Sequence, residues 1–221
     1  MTALRVDVWS DIACPWCYVG KRRLEAALAR FPHEVELVFR SFELDPRAPR
    51  ERDGDYVARL ATKYGRSVAE AQQMIDRMTR VGGEEGIAFR FDRVRAGNTF
   101  DGHRLLQLGH ERGVQITLKE RLMRGYFCDG VPIGDPSALV PLAVEAGLAE
   151  DDVRDVLAGD RYADDVRRDE ELAAELGITG VPFFVMAGRL GVSGAQAPDV
   201  LLGALERSLA DASMLAATPP Q

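Results

Sequence analysis

Two cysteines stand three positions apart in Ser10-Asp11-Ile12-Ala13-Cys14-Pro15-Trp16-Cys17. An apolar run from Leu4 to Trp9 precedes them, and a segment with helical spacing through Arg22, Leu24, Ala27, Leu28 and Phe31 follows. The spacing therefore puts a Cys-x-x-Cys where a strand hands over to the first turn of a helix. The opening amides of a helix lack intrahelical acceptors and carry the positive end of the macrodipole, so a thiolate on Cys14 is favoured over a thiol. The thiolate is the attacking species in disulfide exchange. Cys17 lies one turn on along the same face, with Cβ atoms roughly 5–6 Å apart, near enough to close a disulfide as the resolving partner. Pro15 suits the first helical turn, because its φ is already helical and the N–H it lacks would be unpaired there.

Duller readings of the pair fit less well. A disulfide across so short a loop removes little entropy from the unfolded chain, so stabilisation is a poor reason for it. A structural zinc site wants four ligands at recognisable spacing. The other candidates, Cys128, His33, His103 and His110, are scattered, and no metal is expected. Redox exchange is the better reading.

The elements that must position this pair are legible from punctuation. Residues 4–9 read as a strand, the helix after Cys14 runs to about Arg30, and residues 35–42 read as a second strand. A β-helix-β of this length implies parallel pairing. From about Asp53 to Leu176 nearly every segment carries helical signals. These are a helix closed by Gly65, a capping box at Ser67 to Glu70 with a stop at Gly82-Gly83, and a helix capped by Asn98 and closed by Gly113. A second box is expected at Thr117 to Glu120, with a stop at Asp129-Gly130. Asp135-Pro136 opens the next helix, residues 150–158 form a short one, and the last runs from about Tyr162 to Leu176. Ile87 to Phe91 alone has strand-like alternation. Phe183 to Met186 and Arg189 to Val192 form a hairpin about Ala187-Gly188, and a final helix begins at Pro198.

The chain has 221 residues, 46% hydrophobic and 29% charged, an ordinary globular composition. Lys and Arg number 28 against 35 Asp and Glu, giving a formal charge of -7, so nucleic acid and anionic membrane are not expected partners. There is no long apolar span and no apolar leader core near the N-terminus. Three cysteines with no export signal argue for a cytoplasmic, reducing setting in which disulfides are transient and catalytic. Oligomeric state is left open.

Other residues are weighed against plainer roles. Asp11 fits a loop or capping role better than proton acceptance. Trp16 either shapes the approach to sulfur or covers the core. His103 is a candidate for lining a cleft, though a hydrogen-bonded surface histidine is the commoner case. Cys128 fits an apolar filler at a helix end. Ser193 to Gln196 is either a substrate contact or a plain turn.

Together the order strand, Cys-x-x-Cys helix, strand, helical insertion, hairpin, helix predicts an α/β, thioredoxin-like fold. Residues 1–45 and 178–210 form the discontinuous thioredoxin-like part, residues 46–177 a helical insertion lobe, and residues 211–221 a disordered tail. A cleft is expected between lobe and sheet. The chain resembles the DsbA-like branch of the thioredoxin superfamily, and within it the FrnE-type dithiol-disulfide oxidoreductases of bacteria. The resemblance rests on the Cys14 segment, on Asn98-Thr99-Phe100-Asp101-Gly102-His103-Arg104-Leu105-Leu106, on Gly180-Val181-Pro182-Phe183-Phe184 and on Ser193-Gly194-Ala195-Gln196. It implies thiol-disulfide exchange with Cys14 as nucleophile, Cys17 as resolver and a cis peptide at Pro182. A cis bond there would leave the Val181 backbone to pair with an extended substrate. Pro15, Trp16, Val181, Pro182, Asn98 and His103 are then the substrate-side candidates. Disulfide-containing proteins or low-molecular-weight thiols are the expected partners, together with a reducing or oxidising one. No resident cofactor is implied, and glutathione enters only as a co-substrate. The resemblance extends to 2-hydroxychromene-2-carboxylate isomerases and kappa-class glutathione transferases, which typically carry serine where Cys14 stands. A glutathione-dependent isomerase or transferase is thus the alternative activity, and a non-catalytic peptide- or metabolite-binding module the second.

Overall fold

The computed structural model describes residues 3–52 and 54–216. β1 (Leu4–Ser10) leads through the Cys-x-x-Cys turn into α1 (Pro15–Leu28), and β2 (Val35–Ser41) returns parallel to β1. Then come α2 (Tyr56–Tyr64), α3 (Val68–Glu84), α4 (Phe100–Glu111), α5 (Gln115–Arg124), α6 (Pro136–Glu145), α7 (Glu150–Ala158) and α8 (Ala163–Glu175). β3 (Phe183–Met186), β4 (Leu190–Ser193) and α9 (Pro198–Ala216) complete the order. The sheet runs β2-β1-β3-β4, with β3 antiparallel to both neighbours. The first and last thirds of the sequence therefore meet at β1 and β3.

Alternation along β1 decides what each face of the sheet covers. Leu4, Val6 and Val8 pack with Leu24 of α1, Phe184 and Met186 of β3, and Leu201 and Leu205 of α9. Trp9 points the other way, against Ala173 of α8 and Ile178, and its indole N–H donates to the Asp169 carbonyl at 2.8 Å. A third core fills the helical lobe and includes Ile12, Cys14 and Cys17. The cysteine pair is thus packed into the lobe although its backbone belongs to the sheet half.

The buried side chains of Asp169 and Gln115 tie the lobe to β2. Asp169 of α8 accepts from the Ser41 N–H at 2.9 Å, from Arg40 at 2.9 Å and from the Gln107 amide at 2.7 Å. Gln115 of α5 accepts from the Phe39 N–H and donates back to its carbonyl, each at 2.9 Å, so it continues the β2 edge as a strand would.

Four sequence expectations change. Ile87, Phe89 and Phe91 are buried but form no strand: they pack inward beside Tyr18 and Phe127, and the backbone bonds back to Gly82 and across to Phe127. Their alternation reflects one-sided packing with no neighbouring strand, and a Cβ on Gly82 would sit 2.3 Å from the Phe89 ring. α5 opens at Gln115, two residues before Thr117, because Gln115 is anchored on β2 and supplies the first turn. α3 runs on to Glu84, through the expected stop. α9 continues to Ala216, past residue 211 where a disordered tail is expected, since no Gly or Pro interrupts it before Pro219. Residues 217–221 lie outside those described. Among the described residues no helix is long and apolar enough to cross a membrane.

Removing the Asp169 carboxylate takes one partner from the partly buried Arg40 and strands the buried Ser41 N–H. Asp169→Ala should cost about 3 kcal/mol in urea unfolding. A loss below about 1 kcal/mol would show that the lobe docks through apolar contacts alone.

Candidate active site

Cys14 occupies the N-cap of α1 with extended backbone angles, and Pro15 takes the first helical position. The Cys17 and Tyr18 amides bond back to the Cys14 carbonyl at 3.0 and 3.3 Å, closing the turn that brings the thiols together. Cys14 faces the loop ahead of β3: its Sγ lies 3.6 Å from the Val181 carbonyl oxygen, to which the thiol donates. The Val181-Pro182 peptide is cis. Pro182 also sits against α1, where a Cβ on Gly20 would lie 2.8 Å from its ring, so only glycine lets helix and loop approach this closely. The Gly194 N–H donates to the Pro182 carbonyl at 2.9 Å, and Arg23 of α1 donates to the Ala195 carbonyl at 2.7 Å. Ser193 to Gln196 is therefore a turn that braces the loop.

A cleft of about 830 Å³ opens over Cys14 between the sheet end and the lobe. Cys14, Pro15, Trp16 and Val181 line one side, and Tyr56, Met74, Phe91 and Tyr126 of the lobe line the other. Trp16 is 42% exposed and lines the cleft, so it does not cover the core. Tyr56 stacks on Phe91 with centroids 5.3 Å apart, and burial, followed by the nearby Cys14 sulfur, pushes its hydroxyl up to about 12.

Behind the pair the site is closed and polar. Cys17 is 1% exposed. Burial raises its thiol well above the ordinary range, Cys14 adds to this, and Lys119 and Ser10 act in the opposite direction. Lys119, fully buried on α5, donates to the Ser10 carbonyl at 3.0 Å and lies 5.7 Å from the centre of the Phe39 ring. Burial lowers its ammonium to about 8 against the opposing pull of Cys17, Asp11 and Cys14. Asp11 accepts from the Leu44 N–H at 2.8 Å and the Ala13 N–H at 3.3 Å. Its Oδ1 is also 3.3 Å from His103 Nε2. Burial works against the Asp11 charge, but His103, the Leu44 amide and Lys119 outweigh it and hold the carboxyl below its usual value.

The sequence candidates divide accordingly. Cys14, Pro15, Trp16 and Val181 come together at the cleft, with Cys17 and Pro182 packed directly behind. His103 and Asn98 do not reach it. His103 is completely buried, neither surface nor cleft residue, because the Asp11 carboxylate draws it inward. Asn98 accepts from the Phe100 N–H at 2.8 Å and donates to the Ala48 carbonyl at 3.3 Å, fastening the start of α4. Asp11 is a buried loop residue: Cys14 is the N-cap of α1, and the Asp11 carboxylate holds the preceding turn through the Ala13 and Leu44 amides. Cys128 is half-buried, and burial raises its thiol. Among the described residues no group of His, Cys, Asp or Glu is arranged to hold a metal ion.

Lys119 and Ser10 carry no role in the sequence reading. A signal for the first exists: Lys119 stands four residues after Gln115, three before Leu122 and four before Met123, all on the buried face of α5.

The sequence profile of the DSBA-like thioredoxin domain matches residues 5–206. The chain belongs to this family. A probable DsbA oxidoreductase from Streptomyces coelicolor is similar over 99% of this chain and 93% of its own, at 47% identity and a TM-score of 0.90. An uncharacterized protein of Bacillus subtilis (strain 168) is 27% identical over 216 residues, covering 94% of this chain and 96% of that protein. A cytosolic disulfide reductase from Pseudomonas aeruginosa, solved with glutathione, shares the fold at 17% identity and a TM-score of 0.67, over 94% and 100% of the two chains. The fold is thus the thioredoxin-like α/β fold of the DsbA branch, as the sequence led us to expect, and a redox enzyme is its general character.

The Asp11 environment sets a pH dependence. A carboxyl held below its unfolded value contributes stability that is complete above about pH 4 and is lost as pH falls through the folded value. Asp11→Asn should therefore lower stability at neutral pH and flatten its acid limb in urea melts taken from neutral pH down to about pH 2. Parallel acid limbs in the two proteins would contradict this.

Proposed function

We propose that this protein is a dithiol-disulfide oxidoreductase of the FrnE type, acting on protein or low-molecular-weight disulfides. The observation that carries the reading is the position of Cys14 Sγ, at a helix N-cap, on the floor of the cleft and 3.6 Å from the Val181 carbonyl. Cys14 attacks a substrate disulfide; one substrate sulfur leaves as thiolate and the other remains bonded to Cys14. The Val181 backbone pairs with the substrate main chain beside that mixed disulfide. Cys17 then attacks Cys14, a Cys14-Cys17 disulfide forms and the second substrate thiolate departs. The two electrons have passed from the protein dithiol to the substrate.

The apolar wall of Trp16, Met74 and Phe91 suits side chains flanking a disulfide in an extended chain. A cysteine at position 14 supplies the protein's own nucleophile, which favours this reading over an isomerase or transferase that activates bound glutathione. Glutathione enters instead as a reductant of the Cys14-Cys17 disulfide, in the cytoplasm.

The purified protein should accelerate insulin reduction by glutathione. Cys14→Ser should abolish the acceleration, and Cys17→Ser should accumulate a covalent protein-insulin species that reductant releases. Turnover undiminished by Cys14→Ser would remove the proposal.

A further inference from the structure

We propose that Lys119, reaching in from the helical lobe, accepts the Cys17 proton in the resolving step, and that the Ser10 hydroxyl then donates to the thiolate so formed. This rests on the dithiol-exchange reading above. The resolving step has a proton problem that the attacking step lacks. Cys14 opens onto the cleft, whereas Cys17 is sealed between α1 and the lobe core, where Ile12 and Val19 are fully buried with it. Bulk water does not reach its sulfur, so the proton must go to a group inside the protein.

Few interior groups can take it. Asp11 is engaged by two backbone amides and His103, and these hold it as a weakly basic carboxylate. Lys21 is committed to Glu25 and Glu120, at 2.5 and 2.7 Å. Lys119 has a single hydrogen bond among the described residues, to the Ser10 carbonyl, and its positive charge favours the ionised form of Cys17. The groups facing it are Ser10 and Asp11 at the end of β1, Cys14, Cys17 and Lys21 on α1, and the Phe39 ring on β2. His103 on α4 acts through Asp11. Glu120, its neighbour on α5, turns away to Tyr18, Lys21 and Arg22. Burial brings the Lys119 ammonium to about 8, which puts a usable amine fraction at neutral pH.

Ser10 supplies the second observation. Its Oγ is buried and has no hydrogen-bond partner among the described residues, yet it bears on the Cys17 sulfur and favours the ionised form. Such a hydroxyl is costly while Cys17 is a thiol and finds its acceptor once the thiolate forms. In the step, the Cys17 proton moves to Lys119 Nζ and the thiolate attacks Cys14 Sγ of the mixed disulfide. The Cys14-substrate bond breaks, and its electron pair leaves on the substrate sulfur. Lys119 gives up the extra proton as the released substrate thiolate is protonated.

The chromogenic disulfide dithiobis(nitrobenzoate) separates the two steps, since attack by Cys14 releases one coloured thiolate and resolution by Cys17 the other. In a Cys128→Ala background, Lys119→Met should lower the ratio of the second rate to the first by at least about tenfold. It should also abolish the rise of the second rate through about pH 8. Ser10→Ala should lower the ratio severalfold, and carries the test alone should Lys119→Met fail to fold. An unchanged ratio and pH profile would overturn the inference, as would equal slowing of both steps. If the parent releases only one coloured thiolate, the dithiol reading itself falls, and the inference with it.

Discussion

The rest of the site follows from the burial of one thiol. Cys17 is removed from water by the lobe core, and that desolvation is the largest influence on its acidity. A group sealed this way cannot ionise unless the protein supplies charge and hydrogen bonds around it. Those groups come from two parts of the chain that are distant in sequence: Ser10 and Asp11 from the end of β1, and Lys119 and His103 from the lobe. The lobe is therefore more than a lid over the sheet. It closes the back of the cysteine pair, and it lines the far wall of the cleft through Tyr56 and Met74.

Holding the lobe in register matters for the same reason. Asp169 and Gln115 bind the edge and end of β2, and Gly102 of α4 lets Ile12 approach so closely that a Cβ would lie 2.5 Å from its side chain. Gly20 does the equivalent on the other side, admitting Pro182 against α1. Two glycines within helices, each costly to local helix stability, are retained where backbone must come near the turn that bears the cysteines.

Much of this is legible in the chain alone. The Cys-x-x-Cys is placed at a strand-helix junction by its flanking residues, and glycine, proline and capping residues mark most helix ends, because these signals act over a few residues. Contacts made across the fold escaped. Residues 87–91 alternate like a strand, but among the described residues no strand lies beside them, and their backbone bonds go to Gly82 and Phe127. Thr117 to Glu120 has the pattern of a capping box, yet the helix starts earlier because Gln115 finds β2. His103 reads as a surface residue since its partner, Asp11, is 92 positions away. Lys119 is hidden by its type: lysine is assigned to solvent by default, and only the apolar character of its neighbours on the helix face reveals otherwise.

In the proposed chemistry Cys14 and Cys17 form one two-electron couple while Cys128 stands apart. Equilibrating the protein with glutathione buffers of graded ratio, followed by rapid alkylation and mass spectrometry, tests it directly. Cys14 and Cys17 should lose alkylation together in a single transition, forming an internal disulfide, with Cys128 alkylated throughout. A stable glutathione adduct on Cys14 with Cys17 still free, at every ratio, would contradict it.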